Sequence, residues 1–226
     1  MWRLFLAAAA VLAGGLALVA APAPDQAVTY IDLQPKANQK LKDLFHSNTE
    51  GNNLASLPTG EQKLEGVKFK IGEGLIQLGS KVVQDRPEKV EGIKVDRKFT
   101  TLHILHATGY GGGPNQPGTA GFVEDDTLIG KYIVNYEDKS TQEIEIVYGK
   151  DVRDWFFAEG EADVSRGKVA WKGENERAKM LGCGLRLYLS TWKNPKPDKK
   201  VVSIDYVSTG DTAAAPFCVA LTAETK

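Results

Sequence analysis

The segment spanning residues 151–157 holds the densest group of side chains that could bind a ligand. Its candidate contacts are Asp151, Arg153, Asp154 and Trp155. A guanidinium and carboxylates can form paired hydrogen bonds with vicinal hydroxyl groups, and an indole offers a flat apolar face with one donor. The pattern is therefore typical of a sugar-binding loop at one end of a β-domain. The alternative is a packed corner, in which Trp155 and Phe156 enter the core and Arg153 pairs with an aspartate.

A glycine- and proline-rich stretch at residues 110–118 predicts a long loop, and its first residue, Tyr110, is a further candidate ligand contact. The stretch lacks the glycine spacing and the following Lys-Ser/Thr of a phosphate-binding loop. No helical pattern follows it. A nucleotide-binding loop is therefore not indicated at this position.

Three consecutive carboxylates, Glu124, Asp125 and Asp126, lie just before a predicted strand. Because Ca²⁺ favours several oxygen ligands, they could help to hold a structural calcium ion. The alternative is a solvated acidic turn, which is the usual state of a charge run.

His103 and His106 are three residues apart on a predicted strand, and alternation sends them to opposite faces, so they cannot chelate one metal together. No other cofactor is indicated.

Catalytic signatures are missing from the sequence. No pair of carboxylates can be assigned acid and base roles, and no Gly-x-Ser-x-Gly nucleophile elbow occurs. Whether the chain is an enzyme at all therefore stays open.

Cys183 and Cys218 lie on different predicted strands. They could form a disulfide if those strands were neighbours with facing side chains, or they could be buried free thiols.

The chain of 226 residues has 28 basic and 29 acidic side chains, a net charge of −1. This balance lacks the electrostatic footprint of a nucleic-acid-binding protein and the polybasic segment that binds anionic lipid.

Arg3 precedes an uncharged apolar run over residues 4–21. Residues 1–24 therefore predict a signal peptide or an N-terminal membrane anchor. Either one places residues 25–226 in the periplasm or outside the cell, with membrane contact only if the segment stays uncleaved.

Residues 25–226 are predicted to form one all-β domain, because hydrophobic residues alternate with polar ones along most of this length. The clearest alternating runs begin at Val67, Tyr132, Ile144, Leu185 and Val202. Ten or eleven strands joined by short turns indicate an antiparallel β-sandwich or barrel. Residues 217–221 are apolar at every position, which predicts a strand in the middle of a sheet and favours a jelly roll. Only residues 36–46 look helical, following Pro35 at a plausible helix start.

Several stretches spread over residues 28–224 carry a family resemblance. They are residues 67–79, 102–107, 130–136, 148–155, 169–171, 187–188, 192–195, 203–206 and 215–217. Together they resemble the galactose-binding-like, carbohydrate-binding-module-like jelly-roll domains of secreted planctomycete and verrucomicrobial proteins. The resemblance implies a jelly roll of the kind appended to glycoside hydrolases. It also strengthens the expectation of a structural calcium ion, and it implies no catalytic residues.

We therefore expect an exported, non-catalytic β-sandwich that binds carbohydrate or another cell-surface ligand. One alternative is a hydrolase or lyase that acts on polysaccharide, which would need a concave groove with two carboxylates, or a carboxylate and a basic group, facing one point. The other is a structural or interaction module of the envelope, which would need a large exposed apolar patch.

Overall fold

The computed structural model describes residues 27–45, 49–112 and 121–225. The predicted signal segment, His46 and residues 113–120 of the predicted loop lie outside these ranges. The strands in the described part are β1 (Ala27–Ile31), β2 (Gln39–Lys40), β3 (Gly60–Leu64), β4 (Val67–Ile71), β5 (Gly74–Gln77), β6 (Lys89–Arg97), β7 (Thr101–Gly109), β8 (Leu128–Tyr136), β9 (Thr141–Val147), β10 (Phe156–Phe157), β11 (Lys168–Gly173), β12 (Gly184–Lys193), β13 (Val201–Ser208) and β14 (Ala215–Thr225).

Eight of these strands are wound into a jelly roll. One sheet has the central order β5-β14-β7-β12, and the other has the order β6-β13-β8-β9. All of these neighbours pair antiparallel. Among these eight strands the chain crosses from one sheet to the other six times, which is the double Greek-key winding of a jelly roll. The crossings lie between β5 and β6, β6 and β7, β7 and β8, β9 and β12, β12 and β13, and β13 and β14. The predicted antiparallel β-sandwich is confirmed.

Strand β14 lies at the centre of the larger sheet, as its continuous apolar run predicted. It pairs with β7 along one side and with β5 and β1 along the other. Its residues from Ala215 to Ala223 are all buried. A strand of this kind is covered on both faces, so it needs no outward polar positions.

Burial alternates with period two in β4, β8 and β9, but β5 and β7 are buried at every position. In β12, Arg186 and Tyr188 are buried as well, although the alternation predicted that they face outward. In β4, Val67, Phe69 and Ile71 are buried between exposed lysines. In β13, the alternation predicted that Val202 faces the core, but Val202 is 43% exposed and Val201 is fully buried. The register against β8 shifts after Val201. An extra residue at this point turns the next side chain to the other face.

The helix predicted over residues 36–46 does not form in the described part of that segment. Only Gln34–Lys36 make a single 3-10 turn. The backbone N–H of Leu41 donates to the carbonyl of Glu73 at 2.8 Å, and the carbonyl of Leu41 accepts from Leu54 at 2.8 Å. Because these bonds reach distant parts of the chain, the segment follows the sheet, and its apolar residues are buried without helical geometry.

A short helix, α1 (Glu176–Met180), was not predicted from the sequence. It begins after Asn175, whose side chain accepts the N–H of Ala178 at 2.7 Å, the usual role of asparagine at a helix start. Within the described ranges, the helices are all too short to cross a lipid bilayer.

Candidate functional site

An open cleft of about 340 Å³ lies at one edge of the sandwich, between β9 and β12. Strands β7 and β8 supply its floor, with His106 and Tyr132. The walls come from β9 and from residues 190–192 of β12, and Asp151 and Arg166 also line it. Strand β7, the β8–β9 hairpin and strand β12 therefore meet at one concave surface, which is the usual setting of a ligand site.

His106 connects the floor of the cleft to its wall. Its Nε2 lies 2.8 Å from the Ser190 hydroxyl, and its Nδ1 lies 3.3 Å from the Tyr132 hydroxyl. Burial lowers the pKa of His106 to about 4, and the nearby charge of Asp151 opposes this shift. The imidazole is therefore neutral at physiological pH and acts as a hydrogen-bonding bridge between two hydroxyl groups.

Tyr132 is fixed from behind by a second tyrosine. Its ring stacks on Tyr206 with a centroid distance of 4.5 Å and an interplanar angle of 4°. Burial raises the pKa of the Tyr132 hydroxyl well above its ordinary value. The phenol therefore stays protonated and can share its hydrogen bond with His106, which makes the floor rigid.

A paired aspartate and arginine form the most polar part of the cleft. Asp151 is buried and accepts two hydrogen bonds from Arg166, Nε to Oδ1 at 2.6 Å and Nη2 to Oδ2 at 2.6 Å. Its Oδ2 also accepts the N–H of Val147 at 2.8 Å. The backbone N–H of Arg166 donates to the carbonyl of Lys150 at 2.8 Å, which holds the arginine beside this turn.

The guanidinium of Arg166 is accessible although its partner is not. The Arg166 side chain is 55% exposed, and that of Asp151 is 5% exposed. The hydrogen bond and the charge of Asp151 raise the pKa of Arg166 further, and Glu145 adds to this effect. The cleft therefore presents a fixed, fully charged donor group to the solvent.

The rim combines carboxylates with an indole. Glu143 and Glu145 are exposed on the outer strand β9, and Glu143 pairs with Lys131 at 2.7 Å. Trp192 is half-buried in β12 and packs edge-to-face on Phe99, with ring centroids 6.5 Å apart. Acceptors, a donor and a flat apolar surface thus surround one opening.

The predicted sugar-binding loop is instead the packed corner that was the alternative. Trp155 is 1% exposed, and its ring lies 4.9 Å from Phe45, 4.9 Å from Phe156 and 5.8 Å from Phe217. It is therefore a core residue and offers no face to a ligand. Asp151 is the one residue of this loop that lines the cleft in the described structure.

Asp154 fastens the corner to the start of the predicted long loop. Its Oδ2 accepts the N–H of Gly111 at 2.7 Å, and its Oδ1 accepts the N–H of Phe156 at 2.8 Å. Burial raises the pKa of Asp154 to about 6, while these two bonds and the charge of Arg186 oppose the rise. Tyr110 is half-buried next to this corner, in a left-handed backbone conformation with φ of 53°. Neither side chain lines the cleft.

The predicted calcium turn is occupied by cations of the protein itself. Asp125 accepts two hydrogen bonds from Arg153, at 2.8 and 2.7 Å. Asp126 pairs with Lys150 at 2.7 Å, and Glu124 is exposed. Within residues 27–45, 49–112 and 121–225, no three histidine, cysteine or acidic residues are grouped so that they could hold a metal ion. The carboxylates have different partners in the described structure, and the calcium site stays a prediction.

The two cysteines are both free thiols. Cys218 lies on β14, and Cys183 lies in the turn before β12 rather than on a strand. Strand β7 separates β12 from β14 in the sheet. The neighbouring strands that a disulfide requires are therefore not provided, and the bridge considered from the sequence does not form.

The two strand histidines separate as alternation predicted. His103 bonds the Thr191 hydroxyl at 2.9 Å and lies 3.2 Å from the Glu224 carboxylate. His106 bonds Ser190 and Tyr132 instead. The two side chains therefore have different hydrogen-bond partners.

Sequence reasoning missed most of the cleft, namely Tyr132, Glu143, Glu145, Arg166, Ser190 and Trp192. Glu143 and Glu145 follow the outward positions of an alternating strand, which is also the pattern of an ordinary solvated face. Trp192 follows Ser190 and Thr191 in a strand whose earlier positions are mostly apolar, and this change of polarity was a signal available in the sequence.

No model of a known protein family matches the chain, and no curated protein matches it either.

Proposed function

We propose that the chain is an exported β-sandwich module that binds carbohydrate in the cleft between β9 and β12. The observation that carries this proposal is the Asp151–Arg166 pair, which holds an accessible guanidinium in the same opening as the half-buried Trp192. A sugar ring has an apolar face and an equatorial belt of hydroxyl groups. An indole and a fixed charged donor match these two features.

The remaining cleft residues complete this complementarity. Glu145 is exposed on β9 and can accept hydrogen bonds from ligand hydroxyl groups, while Arg166 donates to them. Ser190 is partly accessible and is already positioned by His106. Because the floor is buried and hydrogen-bonded, little side-chain entropy is lost when a ligand binds.

The cleft has the carboxylates and the basic group that a polysaccharide-acting enzyme would need, but its geometry does not favour Ser190 as a nucleophile. Ser190 and His106 lie at hydrogen-bonding distance, but the partner of His106 at Nδ1 is a phenol rather than a carboxylate. The lowered pKa of His106 disfavours the imidazolium that this residue would form as a general base. Ser190 pairs with Ile104 within the ladder between β12 and β7, so it does not sit at a turn or helix start that offers unpaired N–H groups to an oxyanion.

A purely structural role in the envelope has less support. The exposed large apolar side chains of the described residues are Val82, Leu128, Met180, Leu181 and Val202. They lie on separate elements, apart from the adjacent Met180 and Leu181.

A glycan array followed by calorimetric titration with the strongest ligand tests the proposal. Trp192→Ala and Arg166→Gln should each weaken binding by ~10-fold or more, since each removes one of the two matched features. Trp171→Ala is the matched control, because Trp171 is also half-buried but lies on β11, outside the cleft. A folded protein that binds no glycan, or equal losses in all three variants, would overturn the proposal.

A further inference from the structure

A second opening lies on the other side of the sandwich. It is a groove of about 440 Å³ between β1 and β6, with the 3-10 turn Gln34–Lys36 at one end. Strands β6 and β9 are the two outer strands of the four-stranded sheet. The groove and the cleft therefore occupy opposite edges and share no residue.

Two irregularities in β6 shape this groove. Gly92 and Asp96 have left-handed backbone conformations, with φ of 68° and 52°, and the register of β6 against β13 shifts at both places. A bulge interrupts the alternation of side chains. As a result, the adjacent residues Asp96 and Arg97 are both exposed, as is Lys94. An outer strand with bulges of this kind also resists pairing with another chain.

Basic side chains reach the groove from β6 and from the 3-10 turn. Lys36, Lys94 and Arg97 line it, and no salt bridge joins any of them to another residue of the described structure. Asp96 is paired with Lys200 at 2.9 Å. The pKa of Asp96 is lowered by the bond to Lys200 and further by the charges of Lys94 and Arg97. The groove is thus an electropositive surface.

The charged side chains around the groove indicate that its ligand is an anion. Three cations, Lys36, Lys94 and Arg97, and two carboxylates, Asp32 and Asp96, line the groove. At its edge Lys200 pairs with Asp96, and Asp205 accepts the N–H of Gly92. The local excess of positive charge occurs in a chain whose net charge is −1. Attraction of an anion must therefore come from this groove and not from the overall field of the protein.

We propose that the groove between β1 and β6 binds a polyanionic polysaccharide, with sulfate or carboxylate groups paired to Lys36, Lys94 and Arg97. Lys94 and Arg97 lie opposite Ser203 and Val201, so the bulge brings their backbones to about 7 Å apart, two residues of β13 at the usual rise. Both side chains are exposed. Tyr30 and Pro35 supply apolar surface between the cations. The proposal rests on the extracytoplasmic location proposed above but on none of the cleft residues.

Calorimetric titration of the full chain with two probes tests the proposal: a heparin fragment, which is sulfated, and oligogalacturonate, which is carboxylated. Binding to either probe, weakened as salt rises from about 50 to about 300 mM, supports it, and the tighter probe identifies the anionic group. Lys36→Glu/Lys94→Glu should bind ~10-fold more weakly or worse. The matched control, Lys42→Glu/Lys168→Glu, changes the same charge at exposed positions outside the groove and should stay within ~2-fold of the wild type.

Three results would overturn the proposal: no binding of the wild type to either probe, equal losses in the groove and control variants, or binding to duplex DNA alone. Trp192→Ala should leave heparin and galacturonate binding unchanged. The cleft and the groove can therefore succeed or fail independently.

Discussion

Arg153 and Asp125 are joined by two parallel hydrogen bonds, Nη1 to Oδ1 at 2.8 Å and Nη2 to Oδ2 at 2.7 Å. Arg153 belongs to the segment predicted to bind sugar, and Asp125 belongs to the segment predicted to bind calcium. Asp125 neutralises the guanidinium that the predicted sugar-binding segment would have offered to a ligand. Arg153 neutralises a carboxylate that the predicted calcium-binding segment would have offered to the ion. This ion pair therefore occupies one charged group of each segment, and neither Arg153 nor Asp125 lines the β9–β12 cleft.

Trp155→Ala should lower the free energy of unfolding by ~3–5 kcal/mol, because it removes a buried indole from contact with Phe45, Phe156 and Phe217. Urea denaturation measures this change. Trp192→Ala should cost clearly less, since Trp192 is only half-buried. A loss below ~1 kcal/mol for Trp155→Ala would show that this residue is not part of the core.

Arg166→Gln should destabilise the fold by ~1–3 kcal/mol, because the buried carboxylate of Asp151 would keep only the hydrogen bond from Val147. The double variant Asp151→Asn/Arg166→Gln should recover part of that loss, since no unpaired charge is then buried. A double-mutant cycle by chemical denaturation measures the coupling. Strictly additive effects would contradict a coupled pair.

His106 should make stability fall as the pH drops from about 6.5 to about 4. Its pKa is about 4 in the folded state against 6.5 when unfolded, so in this window the unfolded chain binds the proton and the folded chain does not. The loss approaches ~3 kcal/mol and is complete below pH 4. His106→Gln should remove this component, as urea titrations at several pH values can show.

Asp154 changes the stability with pH in the opposite direction to His106, so its effect has to be separated from that of His106. Its folded pKa of about 6 exceeds the ordinary 3.8, so it favours the folded state below pH 3.8, and this contribution is lost as pH rises through 6. The two effects overlap between pH 4 and 6. The useful quantity is therefore the difference between wild type and His106→Gln, and a difference that does not vary with pH would contradict the role given to His106.

Thiol titration should find one reactive cysteine in the folded protein and two after denaturation. Cys183 is partly accessible, whereas Cys218 is fully buried and burial raises its pKa to about 12, so its thiolate is scarce. Cys183→Ser should abolish the native reaction. Two thiols that react equally fast, or none after denaturation without reductant, would contradict this assignment.

Strands such as β4 could be predicted because the alternation of hydrophobic and polar residues is visible within the strand itself. Val67, Phe69 and Ile71 alternate with lysines, and each is buried as expected. The central position of β14 followed from its lack of polar residues. Val202 was assigned to the wrong face because the bulge beside Val201 depends on pairing with β8, which no local pattern records.

The candidate site could be predicted only in part because its contacts are long-range. Asp151 was selected for its chemistry, but its partner Arg166 lies 15 residues further along the chain. Ser190 and His106 are 84 residues apart. The hydrogen bond between them arises from the pairing of β12 with β7, and neither residue has an unusual sequence context of its own.

Strands β1 and β14 run antiparallel, with Ala27 opposite Thr225 and Ile31 opposite Leu221. A force that pulls Ala27 and Thr225 apart would load the hydrogen bonds of this ladder one after another, starting at the Ala27 end. Ladders loaded in this direction open like a zipper and need less force than ladders that are sheared along their length. Under tension the molecule should therefore release β1 first, while β14 stays held by its long pairing with β7.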